Sequence, residues 1–344
     1  LQLSDNIKSL SNFTHNHVKK TIRSMIQEKI KDFINAPNDS INLGDINSLD
    51  LKNKVSLYWG DEPIGILKKG ENIFSPIAEV LNSEILEVDQ KRIISNKLQE
   101  WIDNEIKTVL KPLKDDIQTE INSSDLRSIT FNLFNSLGTM SVDSFLDDIK
   151  NLSDEKKPIL SKLGIRIGVK FFFMPNFLKK NAIELNALLW KIYNIKNLSG
   201  KFPLPKNGRV SFISDLSMPD DYWQAIGCLC INNFVVRVDI FERIFFLARK
   251  KVKFGPFLES FELMNPVGCN SDQLADLLGF CGFNNIIIGN SKRLFFYKNK
   301  KNKQITKNKK VRSFKVKKIQ KKKREPKQKI IDHDSPFAVL QKLL

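Results

Sequence analysis

The sequence predicts an α+β protein, mainly helical with small β modules and a disordered basic tail. Long amphipathic stripes at helical spacing, short β-rich runs bounded by turn residues, and one dense block of lysine and arginine near the C-terminus carry that prediction. The helices form an array, interrupted by a β-hairpin insert and followed by a winged-helix module. The expected division is 1–40 (N-terminal helix), 41–88 (small β module), 89–220 (helical accessory domain with a central β-rich segment), 221–297 (winged-helix module) and 298–344 (basic tail).

The first helix is capped by Ser4 or Asp5 and keeps Val18, Ile22, Met25, Ile26, Ile30, Phe33 and Ile34 on one stripe, until Asn35-Ala36-Pro37-Asn38-Asp39 stops it. A helix this long at a chain start is expected to pack on a further domain, and the first residue, Leu1, suggests a piece of a longer chain. His15 and His17 fall on different sides of it with no carboxylate or Cys at ligand spacing, and read as a solvated face rather than a metal site. Residues 55–59 and 64–67 flank Gly60-Asp61-Glu62-Pro63, a hairpin signal, and residues 73–80 add a strand. Tyr58 and Trp59 fill a sheet face or stack on bases, the former being the commoner use of such rings.

Residues 89–113 read as a strong helix burying Ile94, Leu98, Trp101, Ile102, Ile106, Val109, Leu110 and Leu113. Ser123 or Ser124 caps the next, with Leu126, Ile129, Leu133 and Leu137 inward and Gly138 as terminator. Residues 141–151 and 153–163 read as two short helices. Gly164 closes the second; a β-rich run over 165–174 follows, and Pro175 opens a helix with Leu178, Ala182, Leu185, Leu188 and Leu189 at helical spacing. Residues 197–220, with Gly200, Pro203, Pro205, Gly208 and Pro219, read as a loop.

Further on, residues 237–250, 257–264 and 271–281 read as three helices, and residues 284–289 and 293–298 as a hairpin turning at Asn290-Ser291-Lys292. Three helices and a hairpin is the order of a winged helix, whose third helix or wing touches nucleic acid. Here the third helix carries Asp272 and Asp276 and no cation, so phosphate contact falls to Lys292, Arg293 and Lys298 on the wing. Asp239, Glu242 and Arg243 have no nucleophile or metal partner in view; Asp239 reads as a helix cap and Glu242–Arg243 as a structural bridge.

Net charge is +18, but 17 of the 56 basic residues lie in 298–329 against the single acid Glu325, which leaves 39 basic and 37 acidic residues elsewhere. Such a block is a polyanion-binding arm, strongly salt-dependent and poor in sequence readout. Within it Lys298, Lys300, Lys301, Lys309, Lys310, Arg312, Lys317, Lys318, Lys321, Lys322, Lys323 and Arg324 are the candidate nucleic-acid contacts. No apolar run reaches membrane-span length, and no signal-peptide pattern opens the sequence. Cys228, Cys230, Cys269 and Cys281 fit free thiols in a reducing, cytoplasmic setting, and their spacing is not that of a zinc knuckle.

Several motifs in combination resemble one family. They are Leu163-Gly164-Ile165-Arg166-Ile167-Gly168, Phe173-Met174-Pro175, Ala187-Leu188-Leu189-Trp190, Tyr222-Trp223-Gln224-Ala225-Ile226-Gly227, residues 236–244 (VRVDIFERI), Gly268-Cys269-Asn270, Cys281-Gly282-Phe283 and the terminal Asp334-Ser335-Pro336-Phe337-Ala338. The chain resembles the region beyond the motor domains of alphaproteobacterial helicase-related proteins, which are similar to the superfamily 2 RNA helicase of the mitochondrial degradosome. Lys179-Lys180 stand where a Lys-Pro is usual.

The resemblance implies an accessory C-terminal region that guides or tethers RNA or another nucleic acid, the ATP-dependent motor lying upstream. This chain has neither a Gly-x-x-x-x-Gly-Lys-(Ser/Thr) loop nor an Asp-Glu-x-(Asp/His) box, so ATP and Mg belong to that motor and no cofactor is expected here. One alternative is an adaptor docking a ribonuclease or a ribosome, with the tail as an electrostatic tether and the terminal motif as a docking peptide. Another is peripheral attachment to anionic membrane through the same arm.

Overall fold

An apolar stripe with no Gly or Pro before Pro37 gives the first helix, α1 (Gln2–Asn35). The computed structural model describes residues 2–47, 55–81, 86–111, 124–145, 156–194, 201–289 and 292–297, all within the unit Leu1–Lys298; the second unit, Asn299–Leu344, and with it the predicted tail, lies outside the described residues. Of its described side chains Ile30 and Phe33 are buried, while Val18, Ile22, Met25 and Ile34 stay exposed. The predicted stripe thus exists as a helix face but is largely uncovered. Lys97 Nζ closes its C-terminus, donating to the carbonyls of Phe33 (2.5 Å), Ile34 (2.8 Å) and Ala36 (2.8 Å), groups a helix end leaves without partners.

Strands β1 (Ile41–Leu43), β2 (Val55–Trp59), β3 (Glu62–Lys68) and β4 (Ile77–Val80) form an antiparallel meander in that order. Gly60, at φ 59°, occupies the predicted turn, and a bulge at Leu57/Tyr58 accommodates Pro63. Helix α2 (Val88–Val109) opens on a Glu87–Gln90 capping box and buries Ile94, Leu98, Ile102 and Ile106 as predicted. Trp101 and Val109 are only partly buried, and Leu113 lies outside the described residues.

Helix α3 (Ser124–Asn135) ends where Leu137 and Gly138 take positive φ. The chain then enters β5 (Thr139–Ser141), which pairs with a strand of three buried phenylalanines and takes Ser141 out of the helix expected over 141–151; residues 146–151 lie outside the described residues. After a 3-10 turn come α4 (Lys157–Lys162), β6 (Arg166–Ile167), β7 (Phe171–Phe173) and α5 (Lys180–Asn194). The predicted β-rich run is therefore a hairpin, with β7 between β5 and β6.

The predicted loop contains β8 (Ser211–Ile213), and α6 (Asp220–Ala225) follows it. A hairpin that the sequence reading did not assign comes next, β9 (Cys228–Ile231) and β10 (Phe234–Arg237), turning through Asn232 and Asn233, both at positive φ. Asparagine tolerates that region better than other side chains do, so an Asn-Asn pair between two apolar runs is the signal. Then come α7 (Val238–Val252), β11 (Phe257–Leu258), α8 (Phe261–Met264), α9 (Ser271–Phe280), β12 (Phe283–Ile288) and β13 (Lys292–Tyr297). The expected helix over 257–264 is a short strand and one helical turn, because Phe257 and Leu258 pair with Phe295 and Leu294. Sheet order is β11-β13-β12.

Two apolar cores meet at strands that feed both. On β7, Phe172 packs into the core shared by α2, α3 and α5, while Phe171 and Phe173 enter the core under α7 and α9. On β10, Val235 goes one way and Phe234 and Val236 the other. The two-residue period of a strand divides its side chains between layers.

Candidate nucleic-acid interface

Helix α7 is fixed by its buried side. Phe241, Ile244, Phe245 and Ala248 face the second core. Glu242, 8% exposed, accepts backbone N–H bonds from Val169 (2.8 Å), Lys170 (2.6 Å) and Phe171 (2.8 Å). These are three charge-assisted bonds to one carboxylate. The expected Glu242–Arg243 bridge is thus replaced by a staple from α7 to the β6–β7 turn, and Arg243 is exposed. Asp239 is not the cap either. Arg237 holds the cap position, and its guanidinium donates to both Asp239 oxygens at 2.7 and 2.8 Å, with the carboxylate in the positive first turn. That pairing and its charge raise the Arg237 pKa further.

The outer face of α7 combines cations with rings. Arg243, Phe246 and Lys250 are spaced three and seven apart, hence on one side. Phe246 is 52% exposed and Lys250 Nζ sits 4.6 Å from its ring centroid. Arg249 lies over the Phe245 ring at 5.8 Å. Just past the helix, Lys253 is exposed and Phe254 is 94% exposed. No acid occurs anywhere in residues 243–254. Lys251 turns aside to pair with Glu262 at 2.7 Å. Rings held in water beside mobile cations can stack on bases while the cations meet phosphates.

A second surface is the open groove between β8 and the α8–α9 turn, about 1180 Å³ in volume. Lys201, Lys206 and Arg209 line it against one carboxylate, Asp215, and all four are exposed. Arg237 N–H to Val210 O (2.9 Å) fixes one wall, and the Ser211 hydroxyl donates across the groove floor to Val267 O.

The predicted contacts fare differently. Lys292 is exposed at the start of β13. Arg293 is engaged: it donates to Ser271 Oγ (3.1 Å) and Asn285 Oδ1 (3.2 Å) and pairs with Asp272, clamping β13 to α9. Lys298, Lys300, Lys301, Lys309, Lys310, Arg312, Lys317, Lys318, Lys321, Lys322, Lys323 and Arg324 lie outside the described residues. Trp59 packs edge-on against Phe33 at 5.4 Å between ring centroids, the sheet-face use of the ring. The sequence reading missed α7's outer face, although the run Arg249-Lys250-Lys251-Val252-Lys253-Phe254 carries it in plain view.

All four cysteines are free, with Cys228 and Cys281 buried. Burial pushes the Cys228 thiol up to about 12 and the Cys269 thiol up to about 11. Among the described residues no group of three or more His, Cys, Asp and Glu is placed to hold a metal ion. Among the described residues no helix is long and apolar enough to cross a membrane. No family model, curated protein or solved structure matches the chain.

Proposed function

We propose that this chain is a nucleic-acid-binding accessory region of an ATP-dependent RNA helicase, positioned C-terminal to the motor and guiding or tethering the strand. The carrying observation is the outer face of α7, where Phe246 and Phe254 stand exposed among Arg243, Lys250 and Lys253 with no acid between residues 243 and 254. Burying such rings against bases is favourable by about 1–3 kcal/mol per base and tolerates any sequence.

Two further features support the reading. The succession α7-β11-α8-α9-β12-β13, with sheet order β11-β13-β12, supports reading this part as a winged helix, a module that commonly contacts nucleic acid. The basic block over 298–329 supplies a non-specific hold on the same strand. In this reading ATP and Mg act in the upstream motor and contribute nothing through these residues.

A second reading, an adaptor docking a ribonuclease or a ribosome, is favoured by one observation. Ile22, Met25, Ile26, Trp59 and Ile64 line an apolar groove of about 400 Å³ along α1. Binding to single-stranded RNA over a salt series separates the two. The full chain is compared with a truncation ending at Tyr297. Retained affinity in the truncation upholds the strand-guiding role; loss of all binding with the tail assigns the folded part to docking.

A further inference from the structure

Among the described residues the sheet β11-β13-β12 leaves β12 at an edge. Its ladder to β13 is regular over six residue pairs, Phe283↔Tyr297 through Ile288↔Lys292, so its outer backbone groups form an uninterrupted row. Ile286, Ile287 and Ile288 are 49%, 66% and 44% exposed, three consecutive isoleucines in water on both faces of one strand. Edge strands of monomeric proteins are ordinarily guarded by lysine, proline or a bulge. Residues 282–289 (GFNNIIIG) hold no charge and no proline, and the register shows no bulge. Lys292 and Arg293 lie opposite Ile288 and Ile287 on β13, the paired side, where they guard nothing.

Those features define what fits. An open backbone row calls for an extended strand, and exposed isoleucines on both faces call for apolar side chains opposite. The absence of charge means that like meets like without repulsion. Outside the block 298–329 the chain holds 39 basic and 37 acidic residues, so the bodies of two copies approach nearly neutral. We propose that β12 pairs antiparallel with β12 of a second copy of this chain, joining two three-stranded sheets into one of six strands about a twofold axis. One patch then serves both partners, as an isologous interface requires. This pairing uses neither the α7 face nor the groove and stands apart from the proposed function.

The test is sedimentation velocity of the full, RNA-free chain at high salt over a concentration series, with hydrogen exchange measured at both ends of the series. The expected result is a monomer–dimer equilibrium in the micromolar range and added amide protection confined to residues 283–288 as concentration rises. Ile287→Lys, at a site already 66% exposed, should weaken dimerisation at least about tenfold, while Ile287→Thr, neutral and β-branched, should change it by less than about threefold. A chain that stays monomeric throughout overturns the proposal and leaves the edge to another protein's strand. A dimer without added protection at 283–288, or one indifferent to Ile287→Lys in a variant of unchanged circular dichroism, overturns it too. Should the lysine variant not fold, the exchange result on the unaltered chain decides.

Discussion

Gly168 lies so close against Glu242 that a Cβ on the glycine would stand 2.6 Å from Oε1 of the carboxylate. The two residues are one device. The absent side chain lets the β6–β7 turn bring three backbone N–H groups onto the carboxylate of α7. Glu242→Gln replaces one accepting oxygen with a donor facing other donors, and Gly168→Ala pushes the turn away. Each should cost about 2–4 kcal/mol, the range for leaving charge-assisted buried bonds unmade. Urea unfolding of both variants checks this; a loss below about 1 kcal/mol in each would mean that water replaces the staple at little cost.

Lys97 performs a comparable task on α1, where three carbonyls converge on one ammonium. Burial lowers the Lys97 pKa, the nearby Glu100 partly offsetting it. Lys97→Met keeps the stem and removes the donors, and should lower stability by about 1–2 kcal/mol. Hydrogen exchange should localise the effect to residues 30–36, where the helix end would fray.

How much of this was legible in the sequence depended on the range of the deciding interaction. Stripes such as Ile94, Leu98, Ile102 and Ile106 are local, and they became buried helix faces. Ser141 read as the start of a helix, yet a partner thirty residues on, Phe171, makes it the end of a strand. Glu242 read as the partner of the adjacent Arg243, yet the groups that claimed it lie 71 to 73 residues away. Arg293 read as a wing cation because sequence does not reveal that Asp272, Ser271 and Asn285 close around it. The outer face of α7 was legible in principle, as a cation run interleaved with phenylalanine, but the larger basic block downstream drew the reading away from it.

Because Arg293 is a clamp and Lys292 is exposed, the two neighbours should respond differently to removal. Arg293→Ala should lower stability by about 1–3 kcal/mol, since it leaves a half-buried network unpaired. Lys292→Ala should leave stability within about 0.5 kcal/mol. If Lys292 meets a phosphate, its loss lowers the salt slope of single-strand binding by about 0.7. Unfolding and RNA titration on the same two proteins separate the roles.

Stability should fall in alkali. Cys228 moves from 9.0 to about 12 chiefly by burial, so the folded chain holds a proton that the unfolded chain releases. That contribution is complete below pH 9.0 and is lost as pH rises toward 12. Cys269, pushed up to about 11, acts in the same direction. Lys191 acts in the opposite one. Burial lowers its pKa below 10.5, with Asp45 partly offsetting, so its contribution grows as pH rises toward 10.5. Lys97, also lowered by burial, acts with it; against these two lysines stand four thiols raised by burial, Cys230 and Cys281 included, which should leave a net decline above pH 9.0, and Cys228→Ala should flatten it. Urea midpoints measured across that window test the sign; an unchanged slope in Cys228→Ala would remove the thiol from the account.

The α7 face makes a demand that electrostatics alone cannot meet. If Phe246 and Phe254 stack on bases, changing both to alanine should weaken single-stranded RNA binding by about tenfold or more while leaving the salt slope unchanged, because no phosphate contact is removed. Arg243→Ala with Lys250→Ala should do the reverse, lowering the slope by about 1.4 for two contacts at about 0.7 each. Both pairs are exposed, so folding should be preserved in each. The measurement is made in the truncation ending at Tyr297, where the basic block cannot mask a modest loss. A phenylalanine pair that changes nothing would leave those rings as an apolar surface for protein, and the adaptor reading would then be the better one.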